Sequence, residues 1–186
     1  MKSATSETKL KELVLFIAQR CESHQLFGKV KLNKILFFSD VNAYVRHGQP
    51  ITGVDYVKRE FGPVPDQMAQ RLEEMVQDKW ATVVERDMPD MTSQKRVVPL
   101  QRKPDLSSFS ADDISIVSEM IDWMRPMTAN EISDLSHKSV GWDVARMGEK
   151  IPLATALIPE VQPPLTPKEL QTGARLAQQV ARQHGS

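Results

Sequence analysis

The run Lys31-Leu32-Asn33-Lys34-Ile35-Leu36-Phe37-Phe38, continuing through Ser39-Asp40-Val41-Asn42-Ala43-Tyr44-Val45-Arg46, decides how this chain folds. Leu32, Ile35, Leu36, Phe37, Phe38, Val41 and Tyr44 do not form one stripe; they cover much of the circumference of a helix from about Val30 to Arg46. A helix apolar on most sides is a central one, with other elements packed around it. Gly48 and Pro50 end it. Upstream, Leu10, Leu13, Val14, Ile17 and Cys21 recur at helical spacing and predict an amphipathic helix from Ser6 to Ser23. Gly28 breaks the chain between the two.

Downstream the pattern changes period. Asp55 to Glu60 reads as extended, with Tyr56 and Val57 as strand residues. Phe61-Gly62-Pro63-Val64-Pro65 places two prolines around a valine and reads as a tight turn. Pro65 suits the first turn of a third helix, Pro65 to Asp78, with Met68, Leu72, Met75 and Val76 facing inward. Trp80–Glu85 and Lys95–Leu100 read as a hairpin with a long connection. Ser110 caps a fourth helix with Asp113 near its N-terminus, and Ile114, Val117, Ile121 and Met124 form its stripe. Pro126 stops it. Thr128-Ala129-Asn130-Glu131 is a capping box opening a fifth helix, with Ile132 and Leu135 inward. A short helix covers Gly141 to Met147. Pro159, Pro163 and Pro164 mark a linker, and Thr166-Pro167-Lys168-Glu169 opens a last helix to about Arg182.

The expected architecture is therefore α+β and mainly α: one helical domain, residues 1–158 with its core in 30–151, with a central buried helix and a small β-hairpin or sheet. Residues 159–186 form a linker and C-terminal helix. With 186 residues the chain is long enough to bury a core without staples. A single cysteine, Cys21, excludes an internal disulfide, and its place on an apolar stripe reads as a small buried hydrophobe. His24, His47, His137 and His184 have no helical metal-site spacing, so no metal or other cofactor is expected. The start of the chain lacks a secretory signal and no run is long enough to span a bilayer, which points to the cytoplasm.

The net charge is zero but uneven. Residues 1–48 carry +4 and residues 104–160 carry −6. Such a dipole either steers a charged protein partner or is neutralised across the fold. It is not the uniformly basic signature of a nucleic-acid binder.

No Gly-rich phosphate loop, G-x-S-x-G elbow or H-E-x-x-H motif occurs, so no catalytic residue is named and an enzyme is not expected. Ser39-Asp40 reads as the exposed sliver of the central helix in preference to a buried hydrogen-bonding site. His137, near Asp134 and five residues before Trp142, reads as bridging a helix end; catalysis would need a nucleophile and an orienting partner. The order of helix, turn, helix and hairpin is that of a winged helix, which makes a DNA-binding transcriptional regulator the alternative function. Against it, the third helix offers Arg71, Gln67, Gln70 and Gln77 but also Asp66, Glu73, Glu74 and Asp78, and carboxylates facing phosphate repel.

Four groups of residues together resemble the Panacea domain of SocA-like antitoxins. They are the lysine helix Lys31 to Phe38, then Gly48-Gln49-Pro50-Ile51, then Phe61-Gly62-Pro63-Val64-Pro65, and later Ser136-His137 with Trp142, Gly148 and Ile151-Pro152. The similarity spans about Val30 to Ile151. The chain departs from many members at Tyr56-Val57-Lys58-Arg59-Glu60, which lacks their Trp, and at Ser39-Asp40-Val41-Asn42. The resemblance implies a mainly helical fold with a small sheet. It also implies an antitoxin that neutralises a cognate toxin by direct binding, in one member as a proteolytic adaptor for the ClpXP protease, and a phage or prophage association. It supplies no catalytic residues. As binding residues of the shared motif it points to Lys31, Lys34, Phe61, Gly62, Pro63, Val64, His137 and Trp142. Lys31 and Lys34 lie on one side of their helix. They read as solvated or salt-bridged surface lysines, pairing with acids of the −6 segment, or else as a basic contact strip for the toxin.

Overall fold

In the computed structural model, which describes residues 5–88 and 93–158 together with Thr172 and Arg175, the run quoted above is helix α2, Lys29–His47. Its residues Leu32, Ile35, Leu36, Phe37 and Ala43 are buried, and all of these but Phe37 belong to one hydrophobic cluster shared with residues from Leu10 to Ile132. Gly48 ends it in the left-handed conformation (φ 74°), its N–H donating to the Tyr44 carbonyl at 2.8 Å, a geometry glycine adopts without Cβ strain.

Helix α1, Ser6–Arg20, buries the expected stripe of Leu10, Leu13, Val14 and Ile17, with Cys21 buried just past its end. Strand β1, Tyr56–Arg59, lies at the centre of a three-stranded antiparallel sheet. On one side it pairs with β2, Gly62–Pro65, in the register Tyr56↔Pro65 to Arg59↔Gly62. On the other it pairs with β5, Lys150–Ile151. Here the structure corrects the sequence reading. The Gly-Pro-Val-Pro segment is a strand, and the turn is the preceding pair Glu60-Phe61. Two prolines are tolerated because β2 is an edge strand, so their missing N–H groups cost no ladder bond. Pro65 is consequently in the sheet, and helix α3 starts later, spanning Met68–Gln77 after Gln67 takes a left-handed φ of 56°. Met68, Leu72 and Met75 face in as expected, but Val76 is exposed.

Strands β3, Ala81–Asp87, and β4, Ser93–Pro99, form a separate two-stranded hairpin whose ladder extends to Asp87↔Ser93, two residues further on each arm than the apolar pattern marks. Helix α4, Ala111–Met124, and helix α5, Ala129–His137, both begin with complete capping boxes, Ser110 with Asp113 and Thr128 with Glu131. In α4 the buried face is Ile116, Val117, Met120, Ile121 and Met124, with Ile114 only partly covered. Helix α6, Val140–Val144, is shorter than the expected 141–147, because Ala145 is already extended. A 3-10 turn follows at Leu153–Leu157. The fold class is the expected one, mainly α with small antiparallel sheets. The linker and last helix expected over 159–186 lie outside the described residues, apart from Thr172 and Arg175.

The basic front and acidic back meet in part across α2 and α4. Arg46 Nη2 lies 2.8 Å from Glu119 Oε2, and His47 pairs with Asp112. Both pairs are half-exposed, so each contributes little to stability.

Candidate functional site

Between Lys31 and Asp40, α2 is covered on nearly every side, so polar residues there have little water to face and favour partners inside the protein. Lys31, Lys34, Ser39 and Asp40 are all at most 2% exposed. This overturns both surface readings of the two lysines, the solvated pair and the basic contact strip, and also the reading of Ser39-Asp40 as an exposed sliver. The physical reason is the same in each case: with apolar residues over much of its circumference, α2 is covered from Lys31 to Asp40 and leaves no solvated side for them.

Lys31, Lys34 and Asp40 find partners on other segments, backbone groups and the hydroxyls of Thr52 and Tyr56, whereas Ser39 Oγ has none among the described residues. Lys31 Nζ donates to the carbonyls of Met124 (3.0 Å), Arg125 (3.4 Å) and Met127. The Met124 and Arg125 carbonyls lie at the C-terminal, negative end of α4, where a cation is favoured, and Met127 lies in the connection to α5. Among the described residues no acid of the −6 segment is ion-paired with Lys31. Lys34 Nζ donates to the Pro63 carbonyl at 3.2 Å. Burial pushes its ammonium down to about 7. Asp40 accepts from the Thr52 backbone N–H at 2.9 Å, from the Thr52 hydroxyl and from the Tyr56 hydroxyl at 2.7 Å. Burial raises its pKa against the pull of those three donors. One helix thus holds the α4–α5 connection, strand β2 and the segment leading into β1. Arg96 of β4, 8% exposed, does the same for α1: its guanidinium donates to the carbonyls of Cys21, Glu22 and His24.

The Phe61-Gly62-Pro63-Val64 segment sits where these contacts converge. Ser133 Oγ of α5 donates to the Phe61 carbonyl at 3.3 Å, and Ser136 Oγ donates to the Ser133 carbonyl at 2.8 Å. Gly62 has φ 98°, and a Cβ there would fall against Ser136 Oγ and 2.5 Å from Lys34 Nζ. Gly62 and Pro63 are buried and Val64 is half-buried. Phe61 differs from its neighbours: it is 56% exposed at the tip of the β1–β2 turn. His137 and Trp142 stack with centroids 3.9 Å apart, and Lys58 Nζ lies 3.9 Å from the Trp142 ring. Burial first, then Lys34, lowers the His137 pKa. His137 therefore ends α5 against α6. The motif residues split into a buried set that locks β2 between α2 and α5, and Phe61, which faces outward.

Sequence reasoning missed Thr52, Ser133 and Arg96 as structural partners. The apolarity of α2 over much of its circumference was the available signal that its lysines and aspartate needed buried partners; nothing in the local sequence said which.

Beside Phe61 a groove of about 610 Å³ runs between the first turn of α2, the start of β4 and the first turn of α5. Leu26, Phe61 and Met88 supply apolar lining, and Lys29 and Lys95 supply charge. Helix α3 offers less. Arg71, its one arginine, is held by Glu7 at 2.9 Å and Glu74 at 2.8 Å, so the one cation among the four side chains it would offer to DNA, beside Gln67, Gln70 and Gln77, is committed to the protein's own acids. Among the described residues no group of His, Cys, Asp or Glu could hold a metal ion, and no helix is long and apolar enough to cross a membrane.

These features define a small mainly helical α+β domain whose buried ionisable groups hold its own backbone together and whose accessible features include a groove beside an exposed aromatic. The chain belongs to the SocA-like antitoxin family: the family model for the Panacea domain matches residues 32–143, from the central helix to α6. That membership assigns it, in general terms, an antitoxin role and a toxin as the class of partner. Searches of the curated proteins and of the solved structures found no match.

Proposed function

We propose that this chain neutralises a cognate toxin by binding it directly, and performs no chemistry of its own on that partner. The observation that carries the reading is the family match over residues 32–143. The arrangement of the site supports it: Lys31, Lys34, Asp40 and Arg96 are spent on internal carbonyls and donors, while Phe61 and the groove beside it remain available for a protein surface. Hot spots of protein interfaces are commonly such aromatic anchors beside a pocket. Delivery of the bound toxin to a ClpXP-type protease is the further step the family resemblance implies.

Co-expression with the product of the adjacent open reading frame tests this. We expect rescue of growth arrest and co-purification of the two proteins. Failure of both would remove the proposal. The half-life of the toxin in the presence of the antitoxin separates masking, which leaves it unchanged, from delivery to a protease, which shortens it.

A further inference from the structure

Among the described residues, the groove beside Phe61 is lined by three lysines, Lys29, Lys31 and Lys95, and by no carboxylate. Lys31 is occupied by the carbonyls at the end of α4. No ion pair is formed by Lys29 or Lys95 among the described residues. Gly28 gives α2 no side-chain cap, so the first-turn N–H groups add to the positive potential on that wall. Gln94 is also in the lining, with its Oε1 buried and without a hydrogen-bond partner among the described residues. Leu26 and Phe61 are exposed apolar groups on the rim.

We propose that this groove receives an extended, acidic segment of a partner protein, with one apolar side chain anchored between Leu26 and Phe61 and its carboxylates on Lys29 and Lys95. This deepens the antitoxin reading and rests on it for the identity of the partner. The charge of the lining selects an anion. The apolar rim selects a peptide with an apolar side chain over a phosphate backbone. Nucleic-acid affinity comes from neutralising many phosphates, and two free lysines supply too few. A volume of about 610 Å³ suits a few side chains, the size of an anchor site within a larger interface.

The test follows the backbone amides of the isotope-labelled full chain by NMR. The probes are a short peptide of Asp and Glu around a central Phe and Leu, the same peptide with Lys at every acidic position, and oligo(dT). We expect shifts concentrated at Lys29, Phe61, Lys95 and Asn130 with the acidic peptide alone. The double variant Lys29→Glu, Lys95→Gln should weaken that binding about tenfold and flatten its salt dependence. Both substitutions are compatible with folding. Glu suits the first turn of a helix, and Gln avoids setting a second acid opposite Glu85, the cross-strand partner of Lys95. Phe61→Ala, at an exposed turn position, should weaken binding without moving the unfolding midpoint. The proposal is overturned by an acidic peptide that fails to bind at millimolar concentration, by shifts that map elsewhere, by an equal response to the basic peptide, or by tighter binding of oligo(dT). The peptide titration does not depend on the toxin. A negative titration with intact growth rescue removes the groove and keeps the antitoxin, and the reverse result removes the toxin reading alone.

Discussion

Gly62→Ala attacks the point where β2, α2 and α5 meet. The backbone there has φ 98°, a conformation that costs an alanine about 1–2 kcal/mol. The new methyl also has no room. It falls against Ser136 Oγ and lies 2.5 Å from Lys34 Nζ and 2.9 Å from Lys34 Cε, and overpacking of this kind costs about 1–3 kcal/mol. A shift of Lys34 strains its hydrogen bond to the Pro63 carbonyl, the one that holds its buried amine among the described residues. The expected loss is about 3–4 kcal/mol, a large share of the 5–15 kcal/mol typical of a domain. Urea unfolding followed by circular dichroism reads it as a lower midpoint at constant slope. Adding Ser136→Gly to the variant removes one of the two steric partners and should restore about 1 kcal/mol, leaving the backbone strain in place. A loss below about 1 kcal/mol for Gly62→Ala would refute the account of this segment as a tightly packed lock.

Asp40→Asn keeps the shape but turns an acceptor facing three donors into a group that also donates; with Thr52 and Tyr56 left under-satisfied, thermal unfolding should show a loss of about 2–3 kcal/mol, and an unchanged melting temperature would contradict the buried placement. Lys34 links stability to pH. Its folded pKa, about 7, lies below the 10.5 of the free side chain, so above pH 7 the unfolded chain binds the extra proton and stability rises with pH through that window. Wild type should therefore gain on the order of a few kcal/mol in urea-derived stability between pH 7 and 9, below the range where Cys21, raised to about 11 from 9.0, opposes it. Lys34→Met should abolish this gain; an identical pH profile in the variant would show that Lys34 is not the group responsible.

Much of this protein is legible in the order of its residues. The periodicity of α1, the capping boxes at Ser110 and Thr128, the glycine stop at Gly48 and the breadth of apolar surface on α2 are local signals, and each marks an element where the structure has one. The motif around Phe61 is also visible, and with it the family. What the residues do not state is who faces whom. Pro63 and Pro65 read as a turn because proline removes a ladder donor; only the sheet order, with β2 at the edge and β5 arriving from residue 150, makes a strand of them. Lys31, Lys34 and Asp40 read as surface residues because burying a charge is costly. That cost is met by carbonyls and hydroxyls up to 96 residues away in the chain, and such partners exist only once the helices have packed. Phe61 and Lys95, distant in sequence, become neighbours of one groove for the same reason. Propensity and periodicity act over a few residues and so are written locally, whereas hydrogen-bond satisfaction and electrostatic fit are properties of the assembled core and are decided there.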